Sequence, residues 1–314
     1  MIKNLSAAKK EGRGRILSYV FLQRRNMYHI IYNPVAGKKK ALKNLRKVEE
    51  ILTARKLSYQ LHETQAVRGG ERIARELTEK GEYDLIVLGG DGTLHEVLNG
   101  IVDPTQCRLG IIPSGTGNDF ADRLGLPKKV DKALELIING VAKDTDYLQV
   151  GAVRCMNVAG LGMDVDVLER CQRGKMKGKL KYLVSLLKSL FVFKGYPIAI
   201  EREGKMERKD ALIAAACNGS KFGGGIPICP DAVVDDGKIN VVVVDCIPSK
   251  IKLIYALTLL LRGKILKYRL TKTFLCERVR FAPDTPCAVQ LDGELYTDLD
   301  LDIEIKTGLK IYRE

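Results

Sequence analysis

The sequence predicts an α/β protein, with an N-terminal parallel α/β nucleotide-binding domain followed by a C-terminal domain of β-sandwich type. Three observations carry that prediction. Over residues 28–140, short apolar runs alternate with stretches of helical periodicity, the pattern of a parallel sheet covered on both faces. Glycine-bearing loops at 33–38, 89–93 and 114–119 each follow one of those apolar runs. Beyond about residue 145 the texture changes to strand-like runs, with hairpin signals at Glu203-Gly204 and Asp236-Gly237.

The elements follow in order. Tyr28 to Tyr32 is a first strand, and a helix from about Lys39 to Arg55 sets Leu42, Leu45, Val48, Ile51 and Leu52 on one face. Ser58 to Glu63 is a second strand. Gly69-Gly70 opens a helix carrying Ile73, Ala74 and Leu77, and Gly81 ends it. Asp84 to Leu88 is a third strand, and the Thr93-x-x-Glu96 capping-box spacing starts the next helix at Thr93. Leu109 to Pro113 is a fourth strand, followed by a short helix and another from about Val130 to Ile138. In the second half, strands are expected over 146–150, 154–159, 197–202, 211–217, 239–245, 273–281 and 288–292. Helices are expected at about 164–172, 179–193 and 250–261. The runs 299–305 and 309–312 are strands as well, and their pattern assigns them to neither domain.

With 46% hydrophobic residues in 314, the chain can build a substantial core. Its longest apolar run in the second half, Leu253 to Leu261 with one Thr, falls far short of the ~20 residues of a membrane span, so a soluble protein is expected. Residues 1–26 carry seven Lys/Arg and one Glu, or +6 of the net +14, and lack the apolar core of a secretory signal. This basic leader is set aside from the fold as a disordered tail or an over-long gene start. Eight scattered cysteines without a Cys-x-x-Cys, and histidines standing singly, argue against zinc and against a disulfide framework. Reduced thiols in a cytoplasmic protein fit better. Nucleic acid is an unattractive partner, because there is no Trp, few aromatics interleave the basic runs, and no nucleic-acid motif occurs.

The chemistry centres on Gly89-Gly90-Asp91-Gly92-Thr93. Glycines let a ligand approach the backbone, and the free N–H groups of a helix start favour an anion. A carboxylate beside a phosphate needs a metal between them, so Asp91 points to Mg²⁺. Ser114-Gly115-Thr116-Gly117-Asn118-Asp119 repeats the arrangement; Thr116-x-x-Asp119 is either merely a helix cap, or Asp119 joins Asp91 near a metal. Asn33 to Lys38 is not a Walker A loop, and no Gly-x-Gly-x-x-Gly occurs anywhere, which disfavours hydride transfer. Leu291-Asp292-Gly293-Glu294 is either a tight hairpin turn or a carboxylate pair delivered to the site, one member accepting a proton from an attacking hydroxyl. Two basic stretches, 170–194 with eight Lys/Arg and 250–272 with seven, contain no acid. Each is either a core-packing helix with a solvated basic face or a surface suited to an anionic bilayer.

In this order, Gly89 to Thr93 with Glu96 to Gly100, Gly115 to Phe120, and Leu291 to Glu294 resemble the diacylglycerol kinase catalytic-domain family, most closely its bacterial soluble lipid kinases. The resemblance runs from about residue 28 to the end; Gly-Gly-Asp-Gly-Thr alone is shared with NAD kinases and nearly with phosphofructokinases. It implies a nucleotide-binding domain of the NAD kinase/phosphofructokinase type over 27–145 plus 299–314, and a β-rich lipid-substrate domain over 146–298. By matching motifs, ATP contacts would come from Asn33, Pro34, Val35, Ala36, Gly37, Thr64, Gly90, Asp91, Gly92, Thr93, Leu94, His95, Glu96 and Thr116, with Asn118 beside them. Asp91 and Asp119 would hold the catalytic Mg²⁺, and Glu294, next to Asp292, stands where the family has its proton acceptor. The Asp236 carboxylate and the carbonyls of Val233 and Lys238 would hold a second, structural Mg²⁺. The basic leader and His95, in place of another polar residue, depart from the family pattern.

These readings converge on an ATP- and Mg²⁺-dependent lipid kinase, with Asp91, Asp292 and Glu294 as its catalytic acids and diacylglycerol as the first acceptor. It would be cytoplasmic and peripheral to an anionic membrane, with a homodimer left open. Phosphatidylglycerol and sphingoid lipids are alternative acceptors. A small-molecule kinase acting on NAD would ignore vesicles, and a non-catalytic membrane-bound nucleotide sensor would bind ATP without turnover.

Overall fold

The computed structural model describes residues 27–173, 184–185, 187–189, 192, 195–222 and 225–314. The basic leader and most of the helix expected over 179–193 lie outside the described residues. Strands β1 (Tyr28–Tyr32), β2 (Tyr59–Glu63), β3 (Asp84–Gly89) and β4 (Arg108–Pro113) alternate with helices α1 (Ala36–Ala54), α2 (Gly69–Glu79) and α3 (Asp91–Gly100). The strands pair in parallel in the order β2-β1-β3-β4. Both faces are covered, which is why Ile30-Ile31 and Leu85 to Leu88 are continuous apolar runs. On one face α1 and α5 (Val130–Asn139) pack Leu45, Val48, Leu134 and Ile137 against Ile30, Ile86 and Ile112. On the other, α2, α3 and the short α4 (Asp119–Arg123) pack Ile73, Leu98 and Phe120 against Leu85, Val87 and Ile111. Parallel strands put the loops after β1, β3 and β4 at one end of the sheet, where ligands of such sheets bind.

The second half is built from β5 (Ala142–Val150), β6 (Val153–Cys155), β7 (Val158–Gly162), α6 (Met163–Arg173), β8 (Tyr196–Arg202) and β9 (Lys205–Cys217). Then come β10 (Lys221–Phe222), β11 (Ile226–Pro227), β12 (Ile239–Asp245), α7 (Lys250–Leu261), β13 (Thr271–Cys276) and β14 (Arg278–Pro283). The chain closes with β15 (Val289–Leu291), β16 (Glu294–Tyr296) and β17 (Leu301–Tyr312). The first half of β9 pairs with β8 and its second half with β7 and β12. Ala214, Ala216, Val241 and Val243 turn inward against Leu148, Phe281 and Ile303. Their neighbours Ala215, Cys217, Val242 and Val244 face the opposite way and share a second core with residues of α6 and α7. Alternation along each strand thus feeds two cores, a sandwich-like interior and a helix-covered outer face.

Several elements differ from the sequence reading. The run 154–159 is divided between β6 and β7, and 273–281 between β13, which pairs with β12, and β14, which pairs with β8 and β17. Each break changes the strand's neighbours, a tertiary event that hydrophobicity does not mark. Asp236-Gly237 is no hairpin, since no strand precedes it; there Gly237 N–H donates to the buried Asp146 carboxylate at 2.7 Å. The last two runs form one strand, β17, with a register shift between Lys306 and Leu309. Its end pairs in parallel with β4 while its start pairs with β14, so it is stitched into both halves. Among the described residues no helix is long and apolar enough to cross a membrane.

Candidate active site

The end of β3 and the end of β4 are laced together. Gly89 C=O accepts from the amides of Ser114 at 2.7 Å and Gly115 at 3.1 Å. A Cβ on Gly115 would lie 2.4 Å from Gly90 Cα, so the two glycine loops touch backbone to backbone. Asn118, at φ 59°, accepts at Oδ1 from Gly115 N–H at 2.8 Å and returns a bond from Nδ2 to Gly115 C=O at 3.0 Å. Thr116 is left exposed at the tip. The loop after β1 lies against the same edge: a Cβ on Gly37 would meet Ser114 C=O at 2.1 Å. Asn33 Oδ1 accepts from Val35 N–H at 3.0 Å, which shapes the turn through Pro34 and Ala36. Thr64, just beyond β2, is buried and donates its N–H to Tyr32 C=O at 3.0 Å. The expected loop residues therefore meet at one end of the sheet.

Helix α3 begins at Asp91 rather than Thr93, with Gly90 at its N-cap. The capping box does not form. Thr93 is buried with its side chain packed on Gly89, and Glu96 reaches away to accept from Arg68 N–H at 3.0 Å and Gly70 N–H at 2.8 Å. Glu96 thereby caps the neighbouring helix, α2, so its carboxylate is a brace between helices. Leu94, on the same turn, is a core residue.

Asp91 and Asp119 face each other across Gly117. A Cβ there would lie 2.8 Å from Asp91 Oδ2 and 3.7 Å from Asp119 Oδ1. Asp91 Oδ1 accepts from Phe120 N–H at 3.2 Å and Asp119 Oδ2 from Gly225 N–H at 3.0 Å. No Lys or Arg ion-pairs with either among the described residues; nearby Lys221 bonds to Asp122 instead, at 3.3 Å. Burial raises the Asp91 carboxyl, and neighbouring amides offset it only in part. Burial, then the Asp91 charge, pushes Asp119 up to about 6. Two desolvated, mutually repelling carboxylates without a cationic side chain suit a divalent cation, so these residues fit Mg²⁺.

The facing wall is the β15–β16 hairpin. Asp292 takes the turn at φ 53° and is locked there by donors from another part of the chain. Its Oδ1 accepts from Asn157 N–H at 2.7 Å and Cys155 Sγ at 3.1 Å, and its Oδ2 from Met156 N–H at 2.8 Å. His95 Nδ1 lies 2.9 Å from Oδ2, and His95 Nε2 lies 2.9 Å from the Tyr296 hydroxyl. Burial by itself would raise Asp292; His95 and the two amides outweigh it and hold the group below the usual carboxylate range. His95 is shifted up on balance, burial being outweighed by Asp292. The side chain of Glu294 makes no hydrogen bond among the described residues, and its Oε1 lies 3.9 Å from where a Gly92 Cβ would be. Although Glu294 is an exposed residue, partial desolvation of its carboxyl and the charges of Glu96 and Asp292 raise it, against the opposing pull of His95.

The predicted carboxylates thus lie on facing walls and differ in their surroundings. Asp292, expected as an alternative proton acceptor, has both oxygens engaged, whereas Glu294 is available. His95, expected at the nucleotide, turns both ring nitrogens to the hairpin. In the proposed structural metal run, Asp236 Oδ1 accepts from Lys238 N–H at 2.9 Å, and Val234 C=O, beside Val233, accepts from Asp146 N–H at 2.6 Å. Among the described residues no group of three or more His, Cys, Asp or Glu side chains is placed to hold a metal, so a cation there would rest on one carboxylate and backbone carbonyls. Sequence reasoning missed Tyr296, whose alternation with Asp292 and Glu294 was the available signal. It also missed Asp164, buried at the start of α6 with its carboxyl pushed up to about 6 by burial.

Comparison with known proteins adds the following. Residues 27–150 match the diacylglycerol kinase catalytic domain, and residues 157–311 match the YegS C-terminal NAD kinase beta sandwich-like domain. A diacylglycerol kinase of Bacillus subtilis is 30% identical over 273 residues, covering 84% of this chain and 88% of its own. A diacylglycerol kinase of Staphylococcus haemolyticus is 29% identical over 302 residues, covering 92% and 91%. A solved structure of a diacylglycerol kinase from Bacillus anthracis superposes with a TM-score of 0.68 over 92% of this chain and 97% of that one; at 20% identity this likeness shows the fold.

Proposed function

The chain belongs to the diacylglycerol kinase family and is a lipid kinase, and on that premise we propose that it transfers the γ-phosphoryl group of ATP to the hydroxyl of diacylglycerol. The single observation that carries this reading is the placement of the Glu294 side chain, without a hydrogen-bond partner among the described residues, beside Gly92 at the start of the glycine-loop helix. There the nucleotide loops and a proton acceptor share one cleft.

The amides of the loops at Asn33 to Gly37, Gly90 to Thr93 and Gly115 to Thr116 would hold the ATP phosphates. Asp91 and Asp119 would hold Mg²⁺, which when bound supplies neutralisation of phosphate charge. Glu294 would take the proton as the lipid oxygen attacks the γ-phosphorus and the bond to the β-phosphate oxygen breaks, leaving ADP and phosphatidic acid. Such transfer needs chiefly positioning and electrostatic stabilisation. A raised Glu294 pKa suits a base, because efficiency peaks when the acceptor titrates near the working pH.

The test is a lipid panel. Purified protein with Mg²⁺-ATP and labelled γ-phosphate, given vesicles containing diacylglycerol, phosphatidylglycerol or a sphingoid lipid, should label the diacylglycerol sample first. Exclusive labelling of another lipid would replace the acceptor but keep the chemistry. ATP binding without labelled product on any lipid, or with NAD alone, would end the reading.

A further inference from the structure

For the stretch 250–272 the sequence leaves two readings open, a core-packing helix with a solvated basic face or a surface suited to an anionic bilayer. The exposed face of helix α7 is not the basic one of the first reading. Leu253, Ala256, Leu257 and Leu260 are buried in the core beneath β9 and β12, yet the outward face is apolar too. Ile251 is 81% exposed, Tyr255 57%, Ile254 49% and Leu261 45%. At positions i, i+3, i+4 and i+10 they form one stripe along the helix. Exposing branched apolar side chains in a row is costly in water unless something covers them.

We propose that this stripe inserts into the interfacial layer of an anionic bilayer and seats the acceptor side of the cleft on the membrane. The inference rests on the lipid kinase reading above. Charge selects the occupant. Lys252, Arg262, Lys264, Lys267 and Arg269 are exposed around the stripe, none forms an ion pair among the described residues, and no acid occurs from Lys250 to Lys272. Apolar side chains bordered by unpaired cations match a surface of acyl chains and anionic headgroups. Position supports it as well. Gly263, just past α7, packs on Pro227 and Pro230, with a Cβ there 3.4 Å from Pro230 and 3.5 Å from Pro227. The same segment supplies Gly225 N–H to Asp119, and Arg123 of α4 donates to Pro230 C=O at 3.2 Å. One short segment therefore joins the helix to the metal-binding wall, so a bilayer under α7 lies beside the site.

The chain contains no Trp, so Ile251→Trp makes a clean reporter in the full-length protein. With vesicles of phosphatidylcholine and phosphatidylglycerol, its emission should shift to the blue and be quenched by lipids brominated near the headgroup end of the acyl chain. Phosphatidylcholine vesicles alone, or raised salt, should weaken the shift. Ile251→Glu with Tyr255→Glu should lower the vesicle-bound fraction roughly tenfold or more, the scale of losing two inserted side chains. That variant should keep wild-type circular dichroism and wild-type turnover of short-chain diacylglycerol dispersed below its aggregation limit. Full vesicle binding without a spectral shift would place another surface on the membrane and overturn the proposal. So would a concentration-dependent blue shift without vesicles, which would mean that a second copy covers the stripe. Intact vesicle insertion with no phosphorylation of any lipid would leave this inference standing and remove the acceptor assignment instead.

Discussion

On the glycine-loop wall, Asp91 and Asp119 each take a backbone amide on one oxygen, face one another, and are raised by burial. On the hairpin wall, Asp292 is just as buried but is enclosed by His95, Cys155 and the amides of Met156 and Asn157, which hold it ionised. The contrast separates two uses of one functional group. A carboxylate left short of donors is poised for a cation or proton; one whose oxygens are all engaged is scaffold. Glu294, two residues from Asp292, falls on the other side of that contrast: no donor reaches its carboxylate among the described residues.

The largest expected effect tests the reactive member of the hairpin. Glu294→Gln should lower kcat about 10²- to 10⁴-fold, the range for a general base, while the denaturation midpoint stays close to wild type. A loss confined to KM would assign Glu294 to binding. Asp292→Asn should do the reverse, costing about 3 kcal/mol of folding stability by chemical denaturation, because a buried ion pair and its amide bonds are broken. Equal stability would make Asp292 a reactive acid after all. Asp91→Asn should cut turnover about 100-fold, yet the metal-free variant should melt no lower than wild type, since a desolvated charge is removed.

Acidity separates the walls further. A carboxyl raised in the fold is favoured when protonated, so Asp91 and Asp119 stabilise the metal-free protein at low pH, and that contribution is lost as pH rises through their raised values, about 6 for Asp119. Apparent Mg²⁺ affinity should then fall about tenfold per unit below roughly pH 6, read by titration calorimetry. Asp292, being depressed, contributes stability above its unfolded pKa that is lost only as pH falls through its lower folded value. A pH-independent Mg²⁺ affinity between pH 5 and 7 would break the contrast. The smallest effect belongs to Tyr296→Phe, which removes one hydroxyl from His95 and should cost about 1 kcal/mol, with kcat reduced a few-fold as the hairpin loosens. An unchanged kcat would show that Asp292 alone sets the position of Glu294.

Much of the parallel half was legible because its constraints are local. Ile30, Leu85 to Leu88 and Ile111 announce buried strands by composition, and glycines at 89, 90, 115 and 117 mark where side chains have little or no room. The β-rich half was less so: the change of partner between β13 and β14 and the single strand β17 depend on which strands lie alongside. Glu96 illustrates the same limit within the site. Its spacing from Thr93 spelled a capping box, but its carboxylate found two amides of α2 instead.

By itself the sequence determined the α/β class, the order of the loops, and the acids carried to the cleft, since each follows from neighbours a few residues away. Only the tertiary structure decided what surrounds those acids. The donors that engage Asp292 come from positions 135 to 197 residues earlier, and the Glu294 carboxylate differs from it by having none among the described residues. It likewise decided that α7 shows an apolar face outward, because periodicity cannot tell which side of a mostly apolar helix the core will cover.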